Sequence, residues 1–414
     1  MVTKYDVFEY VHKKGGPLKP REVADAFRKS NIDYHGIYNM LLALKSLKLI
    51  VKNEYGFQSL HSEKNELLYQ MIRFCLRNDI NYNELLDKNL ALFIGKAFLK
   101  KRVAVKDSDI DTRTFSKYVG ILEKNGFLIV LSKKPLTITV PYNSFLRDLI
   151  SYFGERVLVA KLKPDEYLDE INRELSKFNK LRKQNEARYQ RLINDYQIRF
   201  VYHSLSIEGN PITLPDTIKL LKDHIMPSNY TRESTQEVEN YQKAINQMNS
   251  DAEESKPLTK ESILKYQGIA MQHRSAMAGK IRTHAVYIKG NPDYDVADVK
   301  YIEKRLVDLL KKYNKFVSTK KNSLRDILDF VAYFHNEFQH IHPFFDGNSR
   351  TTRLITFHLL KTQNIPVYDI PLGLLEEYVF STKGARKRDD KKLNQIMQQI
   401  ILFNLKAINE KLSQ

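Results

Sequence analysis

Tryptophan is absent from these 414 residues and cysteine occurs once, at Cys75. Cys75 sits in an apolar helical pattern, and a lone thiol excludes an internal disulfide, so a reducing, cytoplasmic setting is expected. No apolar run approaches the roughly 20 residues that cross a bilayer, and the first residues lack the apolar stretch of a secretory leader. No membrane partner is expected. Acid is also in short supply, with 49 Asp and Glu against 67 Lys and Arg, a net charge of +18. Residues 1–150 hold 25 basic and 16 acidic side chains, leaving 42 of the 67 bases and 33 of the 49 acids to the rest, so the N-terminal part is basic at nearly twice the density. Such a surplus calls for an anionic partner, with nucleic acid the first candidate. Aliphatic and aromatic residues are plentiful, which excludes a disordered chain, and the length suits two or three domains.

The first 60 residues read as three helices and a hairpin. The helices are Lys4–Lys13, Pro20–Ser30 with proline at its start, and Tyr34–Leu47. Two short strands follow at Leu49–Lys52 and Tyr55–Gln58, the pattern of a winged helix. The third helix of such a module enters a major groove, so Tyr34, His35, Tyr38 and Lys45 are candidate contacts to double-stranded DNA. Residues 61–150 resemble a less regular second copy, with Asp111–Asn125 as its third helix and strands at Phe127–Val130 and Leu136–Val140. Arg113 and Lys117 share a face of that helix and form a candidate phosphate footprint. Protein contact or dimerisation is the competing use of both modules, because the fold does not dictate the function. A long charged helix is expected from Asp165 to Tyr202, within a linker segment 151–203.

The most informative dozen residues are His342-Pro-Phe-Phe-Asp346-Gly347-Asn348-Ser349-Arg350-Thr-Thr-Arg353. Helical runs from Ser323 to Phe338 and from Ser349 to Thr362 flank them, so the segment is a loop feeding a helix N-terminus, where free N–H groups attract anions. Gly347 can take positive φ and shape those donors, with Asn348 and Ser349, into a nest for phosphate oxygens. Arg350 and Arg353 lie three apart and carry forked phosphate donors. Asp346 offers oxygen to Mg²⁺, and His342 can accept a hydroxyl proton near neutral pH. A zinc site built on His335, His340 and His342 is disfavoured, since no cysteine joins them and their spacing does not surround one ion.

This dozen resembles the His-x-Phe-x-(Asp/Glu)-Gly-Asn-(Gly/Lys)-Arg-x-x-Arg signature of the Fic family, departing from it only at Ser349. The resemblance implies a mainly α fold, a helical Fic domain over 204–414 with a small β-hairpin flap, behind two α+β winged-helix modules. It implies AMP transfer from ATP, with Mg²⁺, to a Ser, Thr or Tyr hydroxyl of a protein substrate. Lacking lysine at 349, the chain departs from the phosphate-transferring branch. Upstream, Ser204-Leu-Ser-Ile-Glu208-Gly209-Asn210 resembles the family's inhibitory (Ser/Thr)-x-x-x-Glu-(Gly/Asn) motif, which implies that Glu208 pairs with Arg353 and fills the γ-phosphate's room. Glu237, Asn240 and Tyr241 are similar to the family's early-helix signature. The stretch Gly279–Ile288, closed by Lys289-Gly290-Asn291-Pro292, resembles the flap on which Thr283, His284, Ala285 and Val286 would dock a target as an added strand. Tyr378-Val379 falls where the family often has two tyrosines near adenine, making Tyr378 a candidate adenine contact.

A self-inhibited protein adenylyltransferase is the function these residues predict. Two alternatives stand beside it: a DNA-binding transcriptional regulator whose Fic domain senses nucleotide, and a phosphodiesterase that removes AMP with Glu208 orienting water. A homodimer is a candidate assembly.

Overall fold

Side-chain caps set where most helices begin. Asp33, Ser62, Asp87, Asp111, Thr213, Thr231 and Ser323 each accept a backbone N–H from the first turn that follows, which satisfies a donor the helix itself leaves unpaired. The computed structural model describes residues 2–30, 32–159, 167–288, 291–319, 322–384 and 387–414. Its described residues form two compact units, Met1–Leu99 with Ser144–Val159, and Lys100–Asn143 with Ala160–Gln414. The fold is mainly α.

The first unit opens with α1 (Lys4–Lys14), α2 (Pro20–Ala26) and α3 (Tyr34–Ser46), followed by strands β1 (Ile50–Asn53) and β2 (Gly56–Ser59). The expected helix Pro20–Ser30 is shorter, because its last residues, Arg28–Ser30, tighten into a 3₁₀ turn. The strands pair antiparallel with Ile50 opposite Ser59 and Asn53 opposite Gly56. Val7, Phe8, Val11, Ile37, Leu41, Leu44 and Phe57 close the core between them, fully buried. Helices α4 (Glu63–Arg77), α5 (Tyr82–Leu85), α6 (Lys88–Ala97) and, later in the chain, α8 (Ser144–Tyr152) complete this unit, with the rings of Phe74 and Phe145 stacked at 4.5 Å.

The second unit takes in β3 (Val103–Ala104), α7 (Thr112–Lys124) and the strands β4 (Ile129–Lys133) and β5 (Leu136–Thr139), which form a three-stranded sheet in the order β3-β5-β4. The residues read as one second module are thus divided between the two units. The long charged helix breaks at Asn185, whose φ of −135° and ψ of 40° are not helical, into α9 (Leu168–Gln184) and α10 (Glu186–Ser206). Its expected start, Asp165, lies outside the described residues.

The rest is a helical bundle: α11 (Leu214–Lys222), α12 (Arg232–Glu253), α13 (Lys260–Ala270), α14 (Val299–Val317), α15 (Leu324–Ile341), α16 (Asn348–Thr362), α17 (Leu375–Ser381) and α18 (Asp390–Ser413). Helix α16 runs through the middle of the bundle, with Asn348–Leu360 buried on every face, as befits a helix surrounded by α12, α13 and α15. Polar residues on so buried a helix need partners, and two find them in its own backbone: Thr351 and Thr352 bond back to the carbonyls four residues earlier.

The flap differs from the expected β-hairpin. Among the described residues of 279–291 only single bridges form, Ile281 with Phe344 and Ile288 with Asn291. Arg282 is the reason. Its N–H goes to the carbonyl of Pro343 at 2.9 Å, and its guanidinium is drawn inward to three more carbonyls, so this backbone is tied to the loop at His342 and Pro343 instead of to a second strand. Lys289 and Gly290, read as part of the closing turn, lie outside the described residues.

Candidate active site

His342 ends α15 in the left-handed region, φ 47° and ψ 59°, an uncommon conformation for a residue with a side chain. Two contacts hold it there. Its N–H donates to the carbonyl of Phe338 at 3.0 Å, and Nε of Arg282 donates to its carbonyl at 2.7 Å. The ring is nearly buried, and its Nδ1 lies 3.2 Å from the carbonyl of Gln339. A carbonyl only accepts, so Nδ1 carries the hydrogen and Nε2 keeps its lone pair. Burial pushes the imidazole down to about 4, against only partial opposition from the Gln339 carbonyl, so the ring is neutral at physiological pH.

The loop after His342 is clamped by Asn348, whose amide accepts from Phe344 N–H at 2.9 Å and donates to the Phe344 carbonyl at 2.7 Å. Gly347 then turns the chain with φ of 82°, and a Cβ there would meet Met271 at 2.9 Å, so both conformation and space require glycine. The first-turn N–H groups of α16, from Asn348 to Arg350, follow this turn and have no intrahelical acceptor. Asp346 faces the same turn: Oδ1 accepts from Gly347 N at 2.5 Å and Arg350 Nη2 at 2.7 Å, and Oδ2 accepts from Arg274 Nη1 at 2.7 Å. Gln267 braces the loop from α13, donating to the Asp346 carbonyl at 3.0 Å.

Both motif arginines are buried and already matched to protein acceptors. Arg350 pairs with Asp346 and with Glu237 of α12. Arg353, 1% exposed, donates from Nε to Ser204 Oγ at 2.6 Å and from Nη2 to the Ser204 carbonyl at 3.0 Å and Glu208 Oε1 at 3.1 Å. Helix α10 ends at Ser206, and Gly209, with φ of 93°, turns the chain away after Glu208. Lys383 Nζ reaches the other carboxylate oxygen of Glu208 at 2.8 Å. Burial pushes the Glu208 carboxyl up, but Arg353 and Lys383 outweigh it and hold it down at about 2. Tyr241 links the two arms, accepting from Ser204 Oγ at 2.8 Å.

The remaining sequence candidates are placed as follows. Ser349 lies in the first turn of α16, nearly buried. Thr283, His284 and Ala285 are exposed on the flap and Val286 is half-buried, with Tyr287 beside them 82% exposed. Tyr378 is buried in the bundle with its hydroxyl 3.3 Å from His335 Nε2. His335, His340 and His342 turn Nδ1 to three separate partners, Thr356, the Asp295 carbonyl and the Gln339 carbonyl. In the first unit Tyr34, His35 and Lys45 are exposed on α3 and Tyr38 is half-buried, and in the second unit Arg113 and Lys117 are exposed on α7.

Arg274, Arg282 and Lys383 are the site residues that sequence reasoning missed. Arg282 carried a signal, as a charged residue within a run of strand-forming side chains. Arg274 and Lys383 carried none, since their partners lie far along the chain.

Residues 257–360 match the model of the Fic/DOC family. Over 190 residues the chain is 27% identical to the protein adenylyltransferase Fic of Drosophila persimilis, covering 46% of this chain and 36% of that protein. Over 274 residues it is 24% identical to the protein of the same name from Drosophila mojavensis, covering 66% of this chain and 53% of that one. The chain thus spans about a third to a half of the length of the curated relatives it matches. Among solved structures, a Fic-domain-containing signaling protein from Bacteroides thetaiotaomicron superposes with a TM-score of 0.51 at 18% identity, covering 59% of this chain and 96% of that one, a likeness of fold. The segment that matches the Fic/DOC family model, residues 257–360, carries His342, Asp346, Arg350 and Arg353, and over that segment the chain is similar to a Fic domain.

Proposed function

We propose that the chain is a protein adenylyltransferase restrained by its own Glu208. The observation that carries this reading is the pairing of a neutral imidazole, its free Nε2 set by the Gln339 carbonyl, with a glycine-shaped helix N-terminus that begins six residues on, at Asn348. A substrate hydroxyl gives its proton to His342 Nε2 and its oxygen attacks the α-phosphorus of ATP. The bond to the bridging oxygen breaks, leaving AMP on the protein and releasing pyrophosphate. Charge on the departing pyrophosphate is met by the N–H groups of Asn348, Ser349 and Arg350 and by the guanidinium of Arg350.

Mg²⁺ fits this site in a limited way. Among the described residues no three His, Cys, Asp or Glu side chains gather as a cage, so an ion here draws most ligands from phosphates and water, the usual habit of Mg²⁺. Asp346 is the residue that would hold it, through Oδ2, which accepts a single hydrogen bond, from Arg274. When bound, the ion neutralises charge on the leaving phosphates.

The exposed face of the flap supports docking of a protein segment by main-chain pairing, with Thr283, His284 and Ala285 at its edge. Double-stranded DNA is a second partner that we propose for the first unit, read as a winged helix. Tyr34, 44% exposed, stacks on Tyr38 at 6.1 Å, and Lys52 of the hairpin lies 5.9 Å over the Tyr38 ring, which joins helix and wing in one basic face. Labelled ATP tests the main reading. Transfer of label from the α position into protein is expected. Transfer from the γ position would mean phosphorylation, and tight ATP binding without transfer of either label would favour a nucleotide sensor.

A further inference from the structure

One carboxylate, Glu208, serves two cations. Arg353 takes Oε1 at 3.1 Å and Lys383 takes Oε2 at 2.8 Å. The other motif arginine has two carboxylate partners of its own, Asp346 and Glu237. If Glu208 withdraws, Arg353 keeps only neutral acceptors, the hydroxyl and carbonyl of Ser204, and two positive charges then face one space without a counterion. Such a pair in a largely buried site needs an anion.

Lys383 does not leave with the glutamate. It sits at the end of α17, where the N–H groups of Thr382 and Gly384 both donate to the carbonyl of Val379, at 3.2 and 2.9 Å. Its own carbonyl accepts from Asn291 Nδ2 at 3.0 Å, which anchors its backbone to the closing turn of the flap. Its side chain is 23% exposed, with the ammonium directed into the site toward Glu208.

We propose that Lys383 is a ligand for the terminal phosphates of the bound nucleoside triphosphate, supplied from outside the His342–Arg353 segment and covered by Glu208 in the inhibited state. This rests on the nucleotide-transfer reading above. The competing role is a latch, in which Lys383 only steadies Glu208.

The two roles separate once the glutamate is gone. In full-length chain carrying Glu208→Gly, calorimetry compares ATP with AMP, before and after Lys383→Met is added. A phosphate ligand predicts that ATP affinity falls by about tenfold or more, the scale of a charge-assisted bond. AMP, which lacks the terminal phosphates, keeps its affinity and reports an intact fold, and Lys383→Arg retains most of the ATP affinity. Equal ATP affinity with and without the lysine overturns the proposal, as does a parallel loss for ATP and AMP. Failure of Glu208→Gly itself to bind ATP would overturn the nucleotide reading and this inference together, an outcome distinct from the other two.

Discussion

His342 combines a strained backbone with a depressed imidazole, and both follow from its position at the buried end of α15. Replacing it with Ala is expected to lower AMP transfer by about 10²–10⁴-fold, the usual cost of losing a general base, with ATP affinity within about threefold. Paired transfer assays and calorimetry check this, and activity within a few-fold of the parent contradicts it. The depressed value also sets a pH limb. A histidine near its ordinary value of about 6.5 loses roughly 90% of its base form by pH 5.5, whereas one near 4 keeps it. The rate in a Glu208→Gly background should therefore stay flat from about pH 7.5 to 5.5, and a tenfold fall over that range would refute the assignment. Stability follows the same sign. His335 and His358 are likewise pushed down by burial, to about 3 and 4, so the folded chain binds fewer protons than the unfolded one below about pH 6.5, and stability drains away as pH falls from there through those values.

At the scale of elements, three joints hold the candidate site together: α10 on α16 through Ser204 and Arg353, the flap on the loop at His342 through Arg282, and α17 on α10 through Lys383 and Glu208. Arg282 donates to the carbonyls of His342, His284 and Ala297, so Arg282→Met would leave buried acceptors unpaired at about 1–3 kcal/mol each. The expected result is a chain less stable by a few kcal/mol with transfer impaired, and Lys should rescue little because a point charge cannot reproduce the planar fork. Chemical denaturation decides it, and a loss under 1 kcal/mol would remove the joint. Many helix starts at this scale were legible, because capping residues and apolar periodicity are local, but the break at Asn185 and the early end of α2 were not. Helix α16 and the loop before it were legible for the same reason, since Asp346, Gly347, Asn348 and Arg350 act on neighbours within a few residues. The flap was not, because the deciding contacts of Arg282 are with residues 343 and 297, which no local pattern reveals. Nor was Lys383, which meets Glu208 only through the packing of α17 against the bundle.

For the molecule as a whole, the division into units governs how the basic N-terminal part can be tested. Helix α8 belongs with residues 1–99, so a cut at residue 150 would leave 100–143 without the rest of its unit, and charge reversal in the full chain is the cleaner probe. Lys45→Glu with Lys52→Glu should weaken DNA binding at least tenfold and flatten its salt dependence, as measured by anisotropy across a salt series, with AMP transfer unchanged. Unaltered DNA affinity, or none in the parent at low salt, would favour a protein-contact role for the first unit. The central claim is that one chain holds both an adenylyl-transferring site and its brake. It is tested most directly by following α-labelled ATP into protein with the parent and with Glu208→Gly side by side. The account predicts that the variant transfers label, to itself included, well above a nearly silent parent, because Arg353 and the space beside it become available to the nucleotide. A variant no more active than the parent would contradict it.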